Sequence, residues 1–209
     1  NWMIRLGESY LAILYDYLHQ KLYDYHVIQA DETPVLVHRD GRPAGSKSYM
    51  WVYRSGHLYK DKQIVLYDYH KTRNSSHPRE FLKNYSGICV TDGYQVYHKV
   101  EKEREDLRIA GCWVHARRKF DEAMNVVPKE QRKKSNAYLV MKQIQAIYRE
   151  EGKLQELPPD ERLMQRQLVI KPLVDALFVY LKKMEPTVPS SGQLRKAYTY
   201  ILNQEKYLR

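Results

Sequence analysis

The sequence predicts an α/β fold built on a mixed five-stranded sheet with flanking helices, followed by a C-terminal all-helical segment. Three observations support this prediction. Three short runs rich in aromatic and β-branched residues follow one another, with brief turn-like connections. Strand-like and helix-like runs then alternate along the chain. From about residue 136 onward the apolar residues recur at helical spacing, which is typical of a sheet domain that ends in a helical region.

Composition indicates a globular protein with a basic surface. The 209 residues are 43% hydrophobic and 29% charged, which is ordinary for a folded domain. No apolar run reaches the roughly 18 residues that cross a bilayer, so we expect no membrane partner. The N-terminus lacks a signal-peptide pattern and a start Met, and we expect a cytoplasmic protein whose sequence begins inside a longer gene product. The net charge of +10 favours polyanions, although charge alone is weak evidence for nucleic acid.

The N-terminal part of the sequence predicts a helix followed by an antiparallel meander. Residues 3–23 form an amphipathic pattern, which we interpret as a helix that packs onto the domain after it. Strands are predicted at residues 27–30, 48–53 and 64–69. The first strand is expected to end at Asp31, because an acidic pair and then a proline follow it.

The later elements extend this sheet. They are predicted as a short helix at residues 78–85, a strand at 88–91, a helix at 94–100, a strand at 107–113 and a helix at 115–124. This order matches ribonuclease H-like domains, where parallel strands are added through helices after three antiparallel ones. The choice of this fold over other mixed sheets rests on the placement of two acidic residues. We predict a leading helix over residues 1–25, a ribonuclease H-like core over 26–125, and a helical segment over 126–209.

Two aspartates are the residues that suggest chemistry. Asp31 follows the first predicted strand and Asp92 follows the fourth. A carboxylate in such a place costs desolvation unless it is paired or binds a cation. If the two strands are neighbours, the pair would suit Mg²⁺, which prefers carboxylate oxygens. The alternative is that each aspartate forms a turn or caps a helix, as the neighbouring Pro34 and Gly93 allow.

The two cysteines, Cys89 and Cys112, are too few for a disulfide framework. Each lies in an apolar, strand-like run, so we predict two buried free thiols. Cys112 and His115 are residue types that bind zinc, but no third and fourth ligand lie nearby in the sequence.

Four segments of the sequence form a recognisable set. They are Ala30–Pro34 (ADETP), Ser48–Tyr53 (SYMWVY), Thr91–Tyr97 (TDGYQVY) and Gly111–Phe120 (GCWVHARRKF). Their residues and their order resemble transposases of the insertion sequence 66 family, and the resemblance extends over roughly residues 1–209.

The resemblance implies a DDE-type transposase that cuts and joins double-stranded DNA, with transposon ends and target DNA as partners. Asp31 and Asp92 would be the first two acids of its triad and would bind two Mg²⁺ (or Mn²⁺) ions. It further implies a homo-oligomer assembled on DNA in the bacterial cytoplasm. Two other interpretations stay open at this point, namely a fragment that binds DNA without cutting it and a nuclease on the same fold.

The third acid of the triad has two candidates. Glu122 lies on the first helix after the fifth predicted strand, 30 residues after Asp92. Members of the family also carry a later segment with paired Asn residues followed by Glu and Arg, and we favour that later Glu. It would lie beyond Arg209. Residues 126–209 would then be a helical insertion before the final catalytic helix, and the core present in this chain would be catalytically incomplete.

A basic cluster follows the fifth predicted strand, formed by His115, Arg117, Arg118 and Lys119. We predict that it contacts DNA phosphates, and the alternative is a solvated helix face. Arg73 is a weaker candidate for DNA contact. Glu32 is expected to point away from Asp31, because neighbours on a strand face opposite sides.

Overall fold

The structure is a computed structural model that describes residues 2–38, 41–56, 59 and 62–209. The chain divides into two compact units, Asn1–Gly111 and Cys112–Arg209. The first contains the sheet and the second is helical.

The first unit contains the predicted mixed five-stranded sheet. Its strands are β1 (Val27–Leu36), β2 (Lys47–Ser55), β3 (Val65–His70), β4 (Gly87–Thr91) and β5 (Leu107–Gly111), in the spatial order β3-β2-β1-β4-β5. Strands β1, β2 and β3 pair antiparallel, whereas β4 pairs parallel with both β1 and β5. The predicted fold class is therefore confirmed.

Strand β1 is longer than predicted, and the prediction that it ends at Asp31 was wrong. It continues through Pro34 to Leu36, paired with β2 along this whole stretch. Its parallel ladder with β4 covers only residues 27–29. Beyond Asp31 the strand therefore has a ladder on one side only, and a proline is tolerated where one edge of a strand is unpaired.

Strand β5 is shorter than predicted, since it ends at Gly111 rather than Trp113. Cys112 keeps an extended backbone, with φ −86° and ψ 112°, and Trp113 begins a helix. The Trp113 side chain packs against the helical core of the second unit, so tertiary packing overrides its preference for a strand.

The leading helix exists, but its predicted packing face is wrong. It consists of α1 (Trp2–Leu6), a π-helical turn (Gly7–Leu11) and α2 (Ala12–Leu22). The apolar side chains that were expected to pack are exposed, among them Met3, Leu6, Tyr10, Leu14 and Tyr17. The C-terminal part of α2 packs against the rest of the unit, where Leu22 is buried and the centroid of the His19 ring lies 3.9 Å from that of the Phe81 ring.

Two short helices cover the sheet, α3 (Ser76–Phe81) and α4 (Gln95–Lys102). The core of this unit is unusually aromatic, because Trp51, Tyr53, Tyr85 and Tyr97 are all fully buried. The rings of Tyr53 and Phe81 stack with centroids 3.5 Å apart. Burying such rings supplies a large apolar contact area in a unit of modest size.

The second unit is a separate helical body with its own core. Its helices are α5 (Trp113–Asn125), α6 (Asn136–Gly152), α7 (Pro159–Gln165), α8 (Lys171–Met184), α9 (Gln193–Asn203) and α10 (Glu205–Leu208). Its core includes Phe120, Ile144, Phe178 and Ile201. None of the helices in the described part of the chain combines the length and apolar character needed to cross a bilayer.

Helix α5 packs with the later helices, most extensively with α9 and α6. Phe120 on α5 lies with its ring 5.7 Å from that of Tyr198 on α9. The boundary between the two compact units therefore lies after residue 111, whereas the predicted boundary between the core and the helical segment lies after residue 125. The interpretation of residues 126–209 as an insertion within a catalytic core stays a prediction.

Pro172 lies in the second unit at the start of α8, and it does not interrupt the helical path. The chain runs from α7 through a π-helical turn (Arg166–Ile170) directly into α8. A proline lacks the N–H of an α-helical bond and clashes with the preceding turn. Pro172 is the second residue of α8, within the first turn, where a proline is tolerated because its N–H would have no partner in the helix.

We expect Gly87→Ala to destabilise the first unit. Gly87 has φ +146°, and an added Cβ would lie 2.6 Å from the backbone oxygen of His26. Positive φ and a backbone clash together should cost about 2 kcal/mol or more, measurable by urea unfolding. Gly7→Ala is the matched control, because nothing lies within 4 Å of its added Cβ. It should leave stability unchanged or raise it by up to about 1 kcal/mol, and equal effects of the two changes would contradict this account.

Candidate metal centre

The parallel ladder between β1 and β4 leads toward the two candidate aspartates. Residues 27–29 of β1 pair with residues 88–90 of β4, a constant offset of 61 positions. Continued two residues beyond the end of this ladder, the same offset makes position 31 level with position 92, the first residue after β4. Paired strands run about 4.8 Å apart, so the register directs the two positions toward one region beside the C-terminal end of β4, while β1 itself continues to Leu36.

Both carboxylates can be reached from solvent. Asp31 is exposed, and its Oδ1 accepts a hydrogen bond from the Glu32 backbone N–H at 2.9 Å. Asp92 is half-buried, and its Oδ1 accepts from the Tyr94 backbone N–H at 2.8 Å. Asp92 thus closes a turn, but no side chain caps the N-terminus of α4. The turn-forming role that the sequence left open is present at Asp92 and is compatible with ion binding.

Glu32 lies on the other side of β1 from Asp31, and its side chain is only 1% exposed. The Arg73 guanidinium donates to its Oε1 through Nε at 2.8 Å and through Nη2. The Tyr97 hydroxyl donates to its Oε2 at 3.2 Å. Burial raises the pKa of the Glu32 carboxyl; the Arg73 hydrogen bond opposes that rise, and the negative charges of Asp92 and Asp31 add to it.

Arg73 connects Glu32 to the segment that follows β4. Its guanidinium lies 3.7 Å from the centroid of the Tyr94 ring, and the Tyr94 hydroxyl donates to the Arg73 carbonyl oxygen at 3.0 Å. The side chain considered for DNA contact is therefore engaged within this cluster of acids. Sequence reasoning did not find the pair, because its members are 41 residues apart and no local pattern links them.

The donors at this end of the sheet fit a hard divalent cation. Mg²⁺ is usually held by one or two carboxylates together with waters and substrate oxygens, and Asp31 and Asp92 supply two carboxylates. Within the part of the chain that the structure describes, no three His, Cys, Asp or Glu side chains are grouped closely enough to hold a metal ion. The two aspartates therefore offer a partial coordination shell.

Glu122, the nearer candidate for a third acid, lies on α5 in the second unit. Its side chain is 43% exposed, and Oε2 is 3.9 Å from the Lys119 ammonium. This is an ordinary surface pair between residues one helical turn apart. Its role as the third acid stays a prediction.

The predicted basic cluster lies at the N-terminal half of α5. Arg117 and Arg118 are exposed, and Lys119 is 40% exposed. His115 is half-buried and its side chain hydrogen-bonds to Cys112. The surrounding unit carries 19 of the 35 Lys and Arg residues and 11 of the 25 Asp and Glu residues, so most of the net positive charge lies in it. A basic unit of this kind favours contact with phosphates.

The two thiols differ in environment. Cys89 is fully buried, which raises its pKa to about 12. Cys112 is only partly buried, so the prediction that both are buried was wrong for this residue. Burial alone would raise the pKa of Cys112, but hydrogen bonds from the His115 side chain and from the backbone of His115 and Val114 outweigh it. The pKa of Cys112 therefore lies below the ordinary thiol value.

Comparison with known proteins gives a consistent picture. The family model described as "Transposase IS66 family" matches residues 1–209. Uncharacterized protein y4qI of Sinorhizobium fredii is 32% identical over 129 residues, covering 57% of this chain and 24% of that protein. Uncharacterized protein y4hP of the same organism is 26% identical over 142 residues, covering 63% of this chain and 26% of that protein. The chain thus spans about a quarter of the length of these relatives. No solved structure matches it.

We expect iodoacetamide to modify Cys112 about tenfold or more faster than Cys89 in the folded chain, because the thiolate is the nucleophile and only Cys112 is accessible with a lowered pKa. Peptide mass mapping after brief alkylation at neutral pH measures both rates. Cys112→Ser is the control and should abolish the fast reaction. Equal rates at the two thiols before unfolding would contradict the prediction.

Proposed function

The chain belongs to the transposase IS66 family, and we propose that it carries the DNA-cleaving and strand-joining core of a DDE-type transposase. Asp31 and Asp92 are the first two acids of its active site in this proposal. The partners are double-stranded transposon ends and target DNA, with the protein acting as a homo-oligomer on DNA in the bacterial cytoplasm.

The observation that supports the proposal is the register of the parallel ladder, whose offset, continued two residues, makes position 31 level with position 92. Asp31 is exposed and Asp92 is half-buried, so solvent reaches both carboxylates. Bound there, two Mg²⁺ (or Mn²⁺) ions would activate the attacking oxygen and stabilise the leaving oxygen of a phosphodiester. The aspartates themselves hold the ions and set where the scissile phosphate must lie.

The reaction consists of two phosphoryl transfers. Water first cleaves the phosphodiester at a transposon end, which releases a 3′-hydroxyl. That hydroxyl then attacks a phosphodiester of the target DNA, and the leaving group is a target 3′-oxygen. In this proposal Arg117, Arg118, Lys119 and His115 contribute contacts to DNA phosphates, which position the duplex without reading its sequence.

A second candidate is a fragment that binds DNA but does not cleave it. It is favoured by one observation, that the described residues contain two carboxylates at the site and no third one grouped with them. We propose that the third acid lies in a segment after residue 209 of the complete protein, since the chain spans only about a quarter of its relatives. Glu122 is the alternative within this chain.

We expect Asp31→Asn and Asp92→Asn each to reduce DNA cleavage by about 1,000-fold or more, which corresponds to about 4 kcal/mol of transition-state stabilisation. An amide keeps the shape of the carboxylate but loses the charge that holds the cations. Cleavage of a plasmid carrying the element's ends, by the complete protein, measures the effect. DNA affinity by gel shift should change less than about twofold, because the phosphate contacts are elsewhere.

Asp24→Asn is the matched control for these two substitutions. Asp24 is an exposed aspartate of the same unit, paired with Lys21 at 3.1 Å. Its loss should leave both cleavage and binding unchanged, because exposed pairs contribute little. Full cleavage by either Asp31→Asn or Asp92→Asn would overturn the assignment of the acids.

We expect Glu122→Gln in the complete protein to retain cleavage within about threefold. Its exposed pair with Lys119 is worth about 0–1 kcal/mol, so folding should not suffer. The same plasmid assay measures this, with Glu130→Gln, at an exposed glutamate of the same unit, as the control for loss of a carboxylate. A loss as large as that of Asp92→Asn, with Glu130→Gln still active, would identify Glu122 as the third acid instead.

A further inference from the structure

We propose that Glu32 and Arg73 act together as positioning residues that fix the Asp31 and Asp92 carboxylates at the separation a divalent cation requires. This inference rests on the proposed function, because it assigns a purpose to the two aspartates. It concerns residues that would touch neither the ion nor the DNA.

The first step is the anchoring of β1. A carboxylate that is 1% exposed is costly to bury unless it is paired and hydrogen-bonded. Glu32 has a guanidinium fork on one oxygen and a tyrosine hydroxyl on the other. These contacts hold the Glu32 backbone, and with it the backbone of Asp31, whose side chain leaves the strand on the opposite side.

The second step links this anchor to Asp92. Arg73 stacks on the Tyr94 ring at 3.7 Å, and the Tyr94 hydroxyl donates back to the Arg73 carbonyl oxygen. The backbone N–H of Tyr94 in turn donates to the Asp92 carboxylate. Glu32, Arg73 and Tyr94 therefore form a continuous bridge between the two acid-bearing segments, and the planar guanidinium is suited to both of its contacts.

A simpler role for Arg73 makes the opposite prediction. If Arg73 served only as a counter-charge for the nearby carboxylates, its removal would make the local potential more negative, and a divalent cation would bind more tightly. If it positions them, its removal loosens the geometry and the cation binds more weakly. The sign of the change in metal affinity therefore separates the two roles.

The test is Mn²⁺ binding to the 209-residue chain, measured from the electron paramagnetic resonance signal of the free ion. We expect Arg73→Gln to weaken binding about tenfold, equivalent to about 1.4 kcal/mol. Arg73→Lys keeps the positive charge but loses the paired N–H donors to Glu32 and the planar group that stacks on Tyr94. We therefore expect this variant to bind Mn²⁺ about fivefold more weakly than the parent chain. Iron that replaces Mn²⁺ at the site should direct hydroxyl-radical cleavage of the parent chain to the backbone near residues 31 and 92. In both variants this preference for cleavage near the two residues should be lost.

Arg79→Gln is the matched control. Arg79 also donates two hydrogen bonds to one carboxylate, at 2.8 and 2.7 Å to the two oxygens of Glu103, but both side chains are about half exposed. Its Mn²⁺ affinity should stay within about twofold of the parent chain, since exposed pairs contribute little. Thermal unfolding of every variant establishes that the binding changes occur in folded protein.

Three outcomes are decisive. Weaker binding by both Arg73 variants, with Arg79→Gln unchanged, supports the proposal. Equal or tighter binding by Arg73→Gln, while Asp31→Asn and Asp92→Asn still lose Mn²⁺, overturns the positioning role and leaves the proposed function standing. Unchanged binding in Asp31→Asn and Asp92→Asn shows that these aspartates hold no ion, and both proposals then fail together.

Discussion

The parallel ladder between β1 and β4 sets the geometry on which the candidate site depends. A shift of one residue in that pairing would turn every side chain of one strand to the other face of the sheet, and position 92 would then lie beside Glu32 rather than Asp31. Three paired positions fix the register, and buried side chains such as Ile28 and Cys89 hold it, because exposing them would cost apolar burial. The positions of Asp31 and Asp92 relative to each other therefore depend on buried residues that take no part in the proposed reaction.

The buried face of the same strand carries an unusual feature. Most cores are apolar, yet here a carboxylate lies among aromatic side chains and is satisfied by a guanidinium and a phenol. Such a polar group does not add stability in proportion to its contacts, because its desolvation is costly. It does impose a single arrangement on its neighbours, since any other arrangement leaves a charge unpaired.

The sequence was informative wherever the signal is local. Alternation and helical spacing predicted the order of strands and helices along the chain and the helical second unit. Asp92 was correctly placed just after its strand, whereas Asp31 lies within β1 rather than at its end. The path of β1 past Pro34 could not be predicted, because it depends on which edge of the strand has a neighbour. The exposed face of the leading helix was also missed, since periodicity reports an apolar stripe but not whether anything covers it. The partner of Glu32 was out of reach, because it comes from a loop 41 residues away.

The bridge between Glu32 and Arg73 also restricts how this site can change during evolution. Loss of Arg73 alone would leave the buried Glu32 carboxylate without its counter-charge. Loss of Glu32 alone would leave the Arg73 guanidinium beside Tyr94 without its carboxylate partner. Each single substitution passes through a disfavoured intermediate, so the two positions are expected to covary among related sequences. An aligned set of relatives would then reveal, as a statistical coupling, a contact that one sequence alone cannot disclose.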